Sequence, residues 1–371
     1  MPIVQFEDRP LLDLGWGHPR PDLLPGDGWA RAGGRALSAY GWQALTYGHP
    51  AGPAPLVEWL CERTGDTRPG QVFVTAGASH GLALAAEVLT RPGDVVLVDS
   101  PSYHLAFPIL ADRGVTLVRA PADPLGLRPL ELAAMIDSLG LAAPLLYLVP
   151  TFANPTGRSL PAGRRRELAD LARRGRVTVL EDDTYRDLAY DSPAPPSLWS
   201  LAGGRGVVRL GSFAKTVAPG LRLGWLTGSP ELVDRLSRLG YVHSGGGVNH
   251  TTAMTMAVFG ADGSYDRHLA RLRREYAAQR DALVGALAEH GRPAEAPGGG
   301  WFVWLPVPVS AEALLPVAEE HGVSFVPGPR FWAGGPGGDD HVRLSFSRLP
   351  ARDLTEAARR LATAIEHLAH P

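Results

Sequence analysis

Stretches of mostly apolar residues alternate with segments of helical character along much of this chain. Six of them are bounded by turns rich in glycine and proline: 71–75, 94–99, 115–118, 145–149, 177–180 and 207–210. Strands that are apolar on both faces are buried on both sides, and strands that alternate with helices form mostly parallel sheets. The pattern predicts an α/β domain in which functional side chains follow the carboxyl ends of the strands.

The pattern changes near Tyr265, where a long amphipathic helix is predicted over 265–290. Later segments predict strands at 301–305, 324–326 and 341–346 and helices at 311–321 and 351–368. This mixture is typical of a smaller α+β unit. We expect a large domain over 30–250. The small domain is expected to combine 1–29, of which the first 28 residues are predicted to be irregular, with 251–371.

The composition excludes several classes of protein. The chain has 371 residues, a formal net charge of −2 and a single cysteine, Cys61. A nearly neutral chain creates no field that attracts nucleic acid or an anionic membrane. One cysteine forms neither an internal disulfide nor a cysteine metal cage, which suits a reducing cytoplasm. With no membrane-length apolar run and no targeting segment, we expect a cytoplasmic protein with small-molecule substrates and no metal, nucleic-acid or membrane partner.

Lys215 is the only lysine among the 36 lysines and arginines of the chain. A primary amine condenses with an aldehyde to form an imine, whereas an always protonated guanidinium does not. One interpretation is therefore imine chemistry, most familiarly with pyridoxal phosphate. The other is that Lys215 survived a drift towards arginine on a solvated surface. The lysine alone favours neither.

Two segments near predicted strand ends suit a phosphate. The segment 211–225 follows a strand and offers the hydroxyl of Ser212, the amine of Lys215 and the guanidinium of Arg222. The segment 75–79 joins a strand to a helix, whose first backbone amides bind phosphate well. Glycine-rich turns of this kind are common, so the second segment is weak evidence by itself.

Two further segments suit an aromatic cofactor ring. Asp182 lies at the end of the strand 177–180, and a carboxylate beneath a pyridine ring keeps the ring nitrogen protonated. The alternative is an acidic turn that binds a metal or nothing, and no histidine or cysteine cluster accompanies it. Asn154 can donate to a phenolate oxygen, but Asn-Pro is also an ordinary turn signal.

The blocks 154–157, 181–185 and 212–225 occur in this order and together resemble the class I/II aminotransferases of PLP fold type I. The resemblance covers about 14–346 and is nearest to the 2-aminoadipate/kynurenine-type branch. It implies an α/β fold, with a mostly parallel seven-stranded sheet in the large domain and a smaller α+β domain. It also implies pyridoxal 5′-phosphate as the cofactor.

The resemblance implies roles around the cofactor ring. Lys215 would form the Schiff base and then move the proton at the substrate α-carbon. Asp182 would pair with the ring nitrogen, Asn154 and Tyr185 would bind the ring oxygen, and Tyr103 would stack on the ring. Lys215, Asp182 and Tyr185 are thus the expected catalytic residues.

It also implies a phosphate site that two subunits share. Ala78, Ser79, Ser212 and Arg222 would hold the phosphate of their own subunit. Tyr47 would reach the phosphate of the neighbouring subunit, so we expect a homodimer.

Substrate contacts are implied further along the chain. Arg343 would clamp the substrate carboxylate, while Gly17 and Asn154 would also contact the substrate. Four more residues suggest a pocket with aromatic walls, compatible with aromatic, long aliphatic or unusual amino acids: Trp16, His18, Phe325 and Trp332.

The function implied is transfer of an amino group from an L-α-amino acid to a 2-oxo acid. Elimination, racemisation or cyclisation on the same fold are alternatives, because cofactor motifs do not separate these reactions. Some transcription regulators carry this fold behind a DNA-binding domain. We expect this less, because the chain begins almost at the fold and no basic N-terminal domain is evident.

The chain departs from the family pattern at three places. Ala78-Ser79-His80 stands where many relatives have Ser-Gln-Gln, so the phosphate grip is expected to depend more on Ser212 and Arg222. An N-terminal helix seen in many relatives is expected to be absent. The glycines of 245–247 give either a flexible lid, room for a bulky substrate, or a plain turn.

Overall fold

The computed structural model describes residues 10–370. Its strands, in chain order, are β1 (Leu12–Asp13), β2 (Val72–Thr75), β3 (Val95–Val98), β4 (Thr116–Arg119), β5 (Ala122–Asp123), β6 (Gly126–Leu127), β7 (Leu145–Leu148), β8 (Thr178–Asp182), β9 (Val207–Ser212), β10 (Gly224–Thr227), β11 (Phe302–Pro306), β12 (Val323–Ser324), β13 (Val326–Pro327) and β14 (His341–Ser345). Its helices are α1 (Gly26–Tyr40), α2 (Ala54–Thr64), α3 (Ala78–Leu89), α4 (Ala106–Ala111), α5 (Pro129–Ser138), α6 (Ala162–Arg173), α7 (Leu198–Leu201), α8 (Pro230–Ser237), α9 (His250–Ala261), α10 (Ser264–Glu289), α11 (Ala311–Glu320) and α12 (Ala351–Ala369).

The largest sheet has seven strands in the order β2-β10-β9-β8-β7-β3-β4. The pairs β9–β8, β8–β7, β7–β3 and β3–β4 are parallel, whereas β10 runs antiparallel to both of its neighbours. The expected mostly parallel seven-stranded sheet is thus confirmed. Because the sheet is nearly all parallel, the carboxyl ends of β3, β7, β8 and β9 share one edge.

Burial of both faces explains why these strands are apolar in sequence. On one face, Tyr147, Leu180 and Leu210 pack with residues of α3, α4 and α8. On the other face, Leu146 and Val179 pack with residues of α5, α6 and α7. Alternate residues of one strand enter different cores, as the twofold period of a strand requires.

The remaining elements build an α+β arrangement. Strands β11, β14 and β13 form a three-stranded antiparallel sheet, and β1 pairs in parallel with β12. Helices α10 and α12 pack against each other over a core that includes Trp301, Phe302 and Leu344. The predicted domain boundaries at 29/30 and 250/251 stay a prediction.

Several elements differ from the sequence-based expectation. The irregular opening ends three residues early, because α1 begins at Gly26. The single strand expected at 324–326 is two short strands, β12 and β13. Between residue 10 and Gly26 the structure holds β1 and a 3-10 turn at Pro21–Leu23, and no α-helix. In residues 10–370 no helix is long and apolar enough to cross a membrane.

Candidate cofactor and substrate site

The predicted site residues gather at the carboxyl edge of the large sheet. Asp182 ends β8 and Ser212 ends β9. Asn154 follows β7, and Tyr103 follows β3. Since these strands are parallel neighbours, residues far apart in sequence reach one edge.

Lys215 lies in the loop after β9, beside aromatic rings. Its Nζ is 4.8 Å from the ring centroid of Trp301 and 6.0 Å from that of Tyr185. Burial lowers the pKa of the Lys215 amine to about 8, against a weaker opposing effect of the Asp182 carboxylate. A lysine with a pKa near neutrality has a substantial neutral fraction and can act as a nucleophile.

The three acidic residues at the end of β8 have three different partners. Glu181 accepts from the backbone N–H groups of Leu198 and Trp199, at 2.8 and 3.0 Å, and so binds the start of α7. Asp183 pairs with Arg186. Asp182, by contrast, is buried with the face of the sheet that holds Leu180.

Asp182 sits in a protein interior with few polar partners. The Tyr147 hydroxyl donates to Asp182 Oδ2 at 2.9 Å, and the Thr184 N–H donates to Oδ1 at 3.4 Å. Burial raises the pKa of Asp182, and these hydrogen bonds oppose the rise. The carboxylate is therefore placed where a buried cation would be favoured beside it.

A cradle for an anion forms between Gly77 and Arg222. Helix α3 begins at Ala78, and Gly77 before it supplies no side-chain cap, so the first N–H groups of α3 lack an intrahelical partner. Arg222 donates to the carbonyl of Ala76 at 3.1 Å, which holds its guanidinium beside this helix start. A Cβ on Gly77 would lie 2.8 Å from Arg222 Nη2, and Gly77 has a φ of +89°. Only glycine fits that position without displacing the guanidinium.

His80, the departure from the family pattern, turns back onto the same loop. Its Nδ1 accepts from the backbone N–H of Ala76 at 3.0 Å. Burial lowers the pKa of His80, and the Arg222 charge adds to this effect. His80 therefore fixes the loop as a neutral imidazole.

Arg343 is buried in the middle of β14. Its Nη1 donates to Asn154 Oδ1 at 2.9 Å, and its Nη2 donates to the Gly15 carbonyl. Its guanidinium carbon lies 4.3 Å from the ring centroid of Phe302 and 4.8 Å from that of Phe331. The Nε is buried without a hydrogen-bond partner. Burial lowers the pKa of Arg343 to about 10, and an anion beside it would be stabilised.

The comparisons with known proteins decide the family. The profile described as aminotransferase class I and II matches residues 11–361. This chain belongs to the class I and II aminotransferases. It is 35% identical to the 2-aminoadipate transaminase of Thermus thermophilus, over 99% of this chain and 93% of that protein.

A solved structure extends the likeness of this aminotransferase to three dimensions. LysN, the α-aminoadipate aminotransferase of Thermus thermophilus, was solved with N-(5′-phosphopyridoxyl)-L-leucine. It superimposes with a TM-score of 0.86 at 34% identity and covers 97% of this chain and 93% of that one. The predicted fold type I, family and cofactor are thereby confirmed, and the activity is pyridoxal-phosphate-dependent transamination.

A transcription regulator is also similar in sequence to this chain. The HTH-type transcriptional regulator TauR of Rhodobacter capsulatus is 30% identical over 94% of this chain and 73% of that protein. The fold thus occurs in both kinds of protein, and function has to be argued from the site.

The residues present fit pyridoxal phosphate. Lys215 offers an amine with a lowered pKa, Asp182 a buried carboxylate, and the Gly77–Arg222 cradle an anion site. Tyr185 is buried with its ring 5.8 Å from both Trp301 and Phe302, centroid to centroid. Burial raises the pKa of Tyr185, so its phenol stays protonated and can donate.

Three of the predicted residues are described by the neighbours that they contact. Tyr47 is 86% exposed, and its ring lies against Gly245, where an added Cβ would be 2.9 Å from Tyr47 Cε1. Gly17 lies against Phe302, whose Cζ would be 2.8 Å from a Cβ on Gly17. The backbone carbonyl that accepts a hydrogen bond from Arg343 is that of Gly15, not Gly17. Trp332 packs against Arg119, with 5.5 Å between guanidinium carbon and ring centroid.

Other pocket residues are placed more simply. His18 is half-buried, its Nδ1 lies 2.9 Å from the Pro19 carbonyl, and burial lowers its pKa. Phe325 is buried in the core shared with Trp301, while Trp16 is exposed.

Sequence reasoning missed Tyr147 and Trp301 as members of the site. The signal for Tyr147 was available, since it is the single residue with a polar atom in the side chains of β7. Trp301 was seen only as part of an aromatic strand, and nothing in the local sequence places it beside Lys215.

Proposed function

We propose that this aminotransferase takes α-amino acids with aromatic or long aliphatic side chains and acts as a homodimer in the cytoplasm. The aromatic surroundings of the reacting amine carry the substrate proposal: Lys215 Nζ is 4.8 Å from the Trp301 ring centroid. The proposed carboxylate anchor, Arg343, is itself held between Phe302 and Phe331. Apolar walls of this kind favour an apolar side chain, because burying its surface contributes binding free energy.

The roles proposed for individual residues follow from their surroundings. Lys215 Nζ, with its lowered pKa, would hold the cofactor through its aldehyde, and once the substrate amine replaces it there, the released Lys215 amine would accept the proton of the substrate α-carbon as general base. Pyridoxal phosphate, when bound, supplies the aldehyde and a ring that accepts the electrons of the broken C–H bond. Asp182 would accept a hydrogen bond from the protonated ring nitrogen, and Tyr185 and Asn154 would orient the ring oxygen. Tyr103 is proposed to cover the ring, since it is partly buried at the same sheet edge.

The anions are proposed to bind at two separate places. The phosphate binds the N–H groups of Ala78 and Ser79, the hydroxyl of Ser212 and the guanidinium of Arg222. The substrate carboxylate binds Arg343, whose Nε is buried without a partner. Gly17 would offer its backbone to the substrate beside the Phe302 ring.

The dimer is proposed because of one exposed apolar surface. Trp42, Leu45, Tyr47 and Tyr241 are each more than half exposed, at 74, 68, 86 and 61%. Clustered exposed apolar residues commonly mark an interface. Tyr47 would then lie at the phosphate of the partner subunit, and a twofold axis would complete both sites.

Two measurements test this function. Borohydride reduction of the loaded enzyme should attach the cofactor to one peptide, the one that contains Lys215, since the chain has no other lysine. A screen of amino-acid donors should then change the absorbance of the bound cofactor fastest with phenylalanine, tyrosine or leucine and slowly with aspartate, without release of ammonia. A preference for aspartate would refute the proposed substrate class, and stoichiometric ammonia would refute transamination.

A further inference from the structure

A tyrosine of the sheet interior reaches the carboxylate at the centre of the proposed site. Tyr147, in β7, is 0% exposed, and its hydroxyl donates to Asp182 Oδ2 at 2.9 Å. Tyr147 is the register partner of Leu180 on β8, and Asp182 lies two residues further on the same face. A side chain as long as tyrosine spans this diagonal, so the contact follows from the strand register.

This hydrogen bond is shorter than the second one, from the Thr184 backbone, and the Thr184 side chain also donates to Asp182. The second comes from the Thr184 N–H, at 3.4 Å. Burial raises the pKa of Asp182, and the Tyr147 bond is the strongest effect that lowers it. Burial also raises the pKa of Tyr147 well above its ordinary value. The phenol is thus a permanent donor, and its bond is the largest single contribution that offsets the burial of the carboxylate.

We propose that Tyr147 is a positioning residue that keeps Asp182 ionised and oriented, so that the proton shared with the cofactor ring nitrogen stays on the nitrogen. The inference rests on the proposed placement of Asp182 against the ring. Tyr147 would then influence how strongly the ring accepts electrons, although it does not touch the cofactor.

The chemistry gives the direction of the effect. A donor to a carboxylate makes that carboxylate a weaker base. A weaker base at Asp182 leaves the proton on the ring nitrogen, whereas a stronger base draws it away. Loss of the Tyr147 hydroxyl should therefore shift the proton towards Asp182 without removing any group that contacts the cofactor.

The test measures the ring nitrogen directly. The enzyme is loaded with pyridoxal phosphate carrying ¹⁵N in the ring, and its ¹⁵N chemical shift is followed against pH. In Tyr147→Phe the ¹⁵N chemical shift on the acidic side of the titration should move towards the value of an unprotonated nitrogen, as expected for about a tenfold change in the proton equilibrium between the nitrogen and Asp182. The kcat for the best donor should fall by a similar factor, while KM changes little.

A matched control separates this effect from a general loss of stability. Tyr265 is also 0% exposed, and its hydroxyl donates to Asp187 Oδ2 at 2.7 Å. Tyr265→Phe removes a partly buried tyrosine-to-aspartate bond whose carboxylate, Asp187, is not one of the proposed site residues. It should lower the thermal unfolding temperature about as much as Tyr147→Phe but leave the ¹⁵N titration unchanged.

A second variant keeps the proposal testable if Tyr147→Phe fails to fold. Site-specific 3-fluorotyrosine at position 147 retains the ring and strengthens the donor, because the fluorine acidifies the phenol. The ¹⁵N chemical shift should then move in the opposite direction, towards the value of a fully protonated ring nitrogen. Equal titrations in the 3-fluorotyrosine, Tyr147→Phe and parent enzymes would overturn the proposal.

Asp182→Asn distinguishes a failure of the proposed site from a failure of the inference about Tyr147. If this variant leaves the ¹⁵N titration unchanged, Asp182 does not face the ring and the proposed site itself fails. If Asp182→Asn alters the titration but Tyr147→Phe does not, only the inference about Tyr147 fails. If Asp182 faces the ring and Tyr147 acts through it, Tyr147→Phe in the Asp182→Asn background should have no further effect on the ring nitrogen.

Discussion

Arg343 donates to the side-chain oxygen of Asn154 at 2.9 Å, which joins β14 to the loop after β7. The same guanidinium donates to the Gly15 carbonyl. Three segments that are far apart in sequence therefore meet at one arginine. Its position is fixed before any substrate arrives, which reduces the ordering that binding requires.

Arg343→Ala should reduce kcat/KM for α-amino acids by about thirtyfold to several thousandfold, as expected for loss of about 2–5 kcal/mol from a buried charge pair. The cofactor absorbance should be retained, because the residue contacts no cofactor atom in the proposed site. Steady-state kinetics with an amino acid and with the matching amine check this. The amine has no carboxylate, so its kcat/KM should fall little in Arg343→Ala.

Arg330→Ala is the matched control for that experiment. Arg330 is exposed on the turn that precedes Trp332, and its positive charge contributes to lowering the pKa of Arg343. Its removal should change kcat/KM by less than about threefold, as for an ordinary exposed charge. A large effect there, with none in Arg343→Ala, would move the carboxylate anchor to Arg330, and Arg348 would be the next to examine.

Lys215 should lower the stability of the cofactor-free chain. Burial lowers its pKa from 10.5 to about 8. Below pH 8 the amine is protonated in both folded and unfolded chains, and the folded chain bears the cost of the buried charge. Between pH 8 and 10.5 the folded chain releases the proton while the unfolded chain retains it, so the free energy of unfolding rises with pH.

Lys215→Met should therefore be more stable than the parent at pH 7, by on the order of 1–3 kcal/mol in the absence of cofactor. The difference should shrink above about pH 10. Urea unfolding at both pH values measures it, with Lys215→Arg as the control that retains a charge. A stability gain that does not depend on pH would contradict the assigned cause.

The sequence predicts well which residues meet at the carboxyl edge of the large sheet, because the determinants are local. Asp182 and Ser212 end apolar strands, and a parallel sheet brings such ends together whatever lies between them. Lys215 is distinguished by its chemistry alone. None of these requires knowledge of strand register.

What the sequence does not reveal depends on distant contacts. Tyr147 meets Asp182 only because β7 and β8 are paired in one particular register. Helix α1 contains adjacent glycines, Gly33 and Gly34, which disfavour a helix, yet it packs along α9 and is helical. Tertiary packing of this kind routinely overrides local propensity.

Mixed dimers should test whether Tyr47 serves the partner subunit. Tyr47→Ala and Lys215→Ala are each expected to be nearly inactive. A hybrid dimer contains one site with both residues intact, so an equimolar mixture should recover about a quarter of the parent activity, given random exchange within a twofold dimer. Enzyme assays after refolding the mixture measure this. A parent enzyme that is fully active as a monomer by light scattering would rule the shared site out.

Substitution of two glycines that have similar positive φ values should distinguish an effect on the anion cradle from an effect of backbone strain. Gly77 has a φ of +89° and Gly93 a φ of +91°. A Cβ on Gly77 would lie 2.8 Å from Arg222 Nη2, whereas nothing lies within 4 Å of a Cβ on Gly93. Alanine strains the backbone at both sites, by about 1–3 kcal/mol at Gly77, whose ψ is 169°, but only Gly77→Ala displaces the guanidinium.

Gly77→Ala should therefore weaken the affinity of the cofactor-free chain for pyridoxal phosphate by about tenfold, as expected for one lost hydrogen bond to a charged group. Gly93→Ala should lower the unfolding temperature to a comparable extent and leave that affinity unchanged. Titration of the cofactor-free chain, followed by absorbance, gives both dissociation constants. An equal loss of affinity in the two variants would mean that strain alone is responsible and that Arg222 does not bind the phosphate.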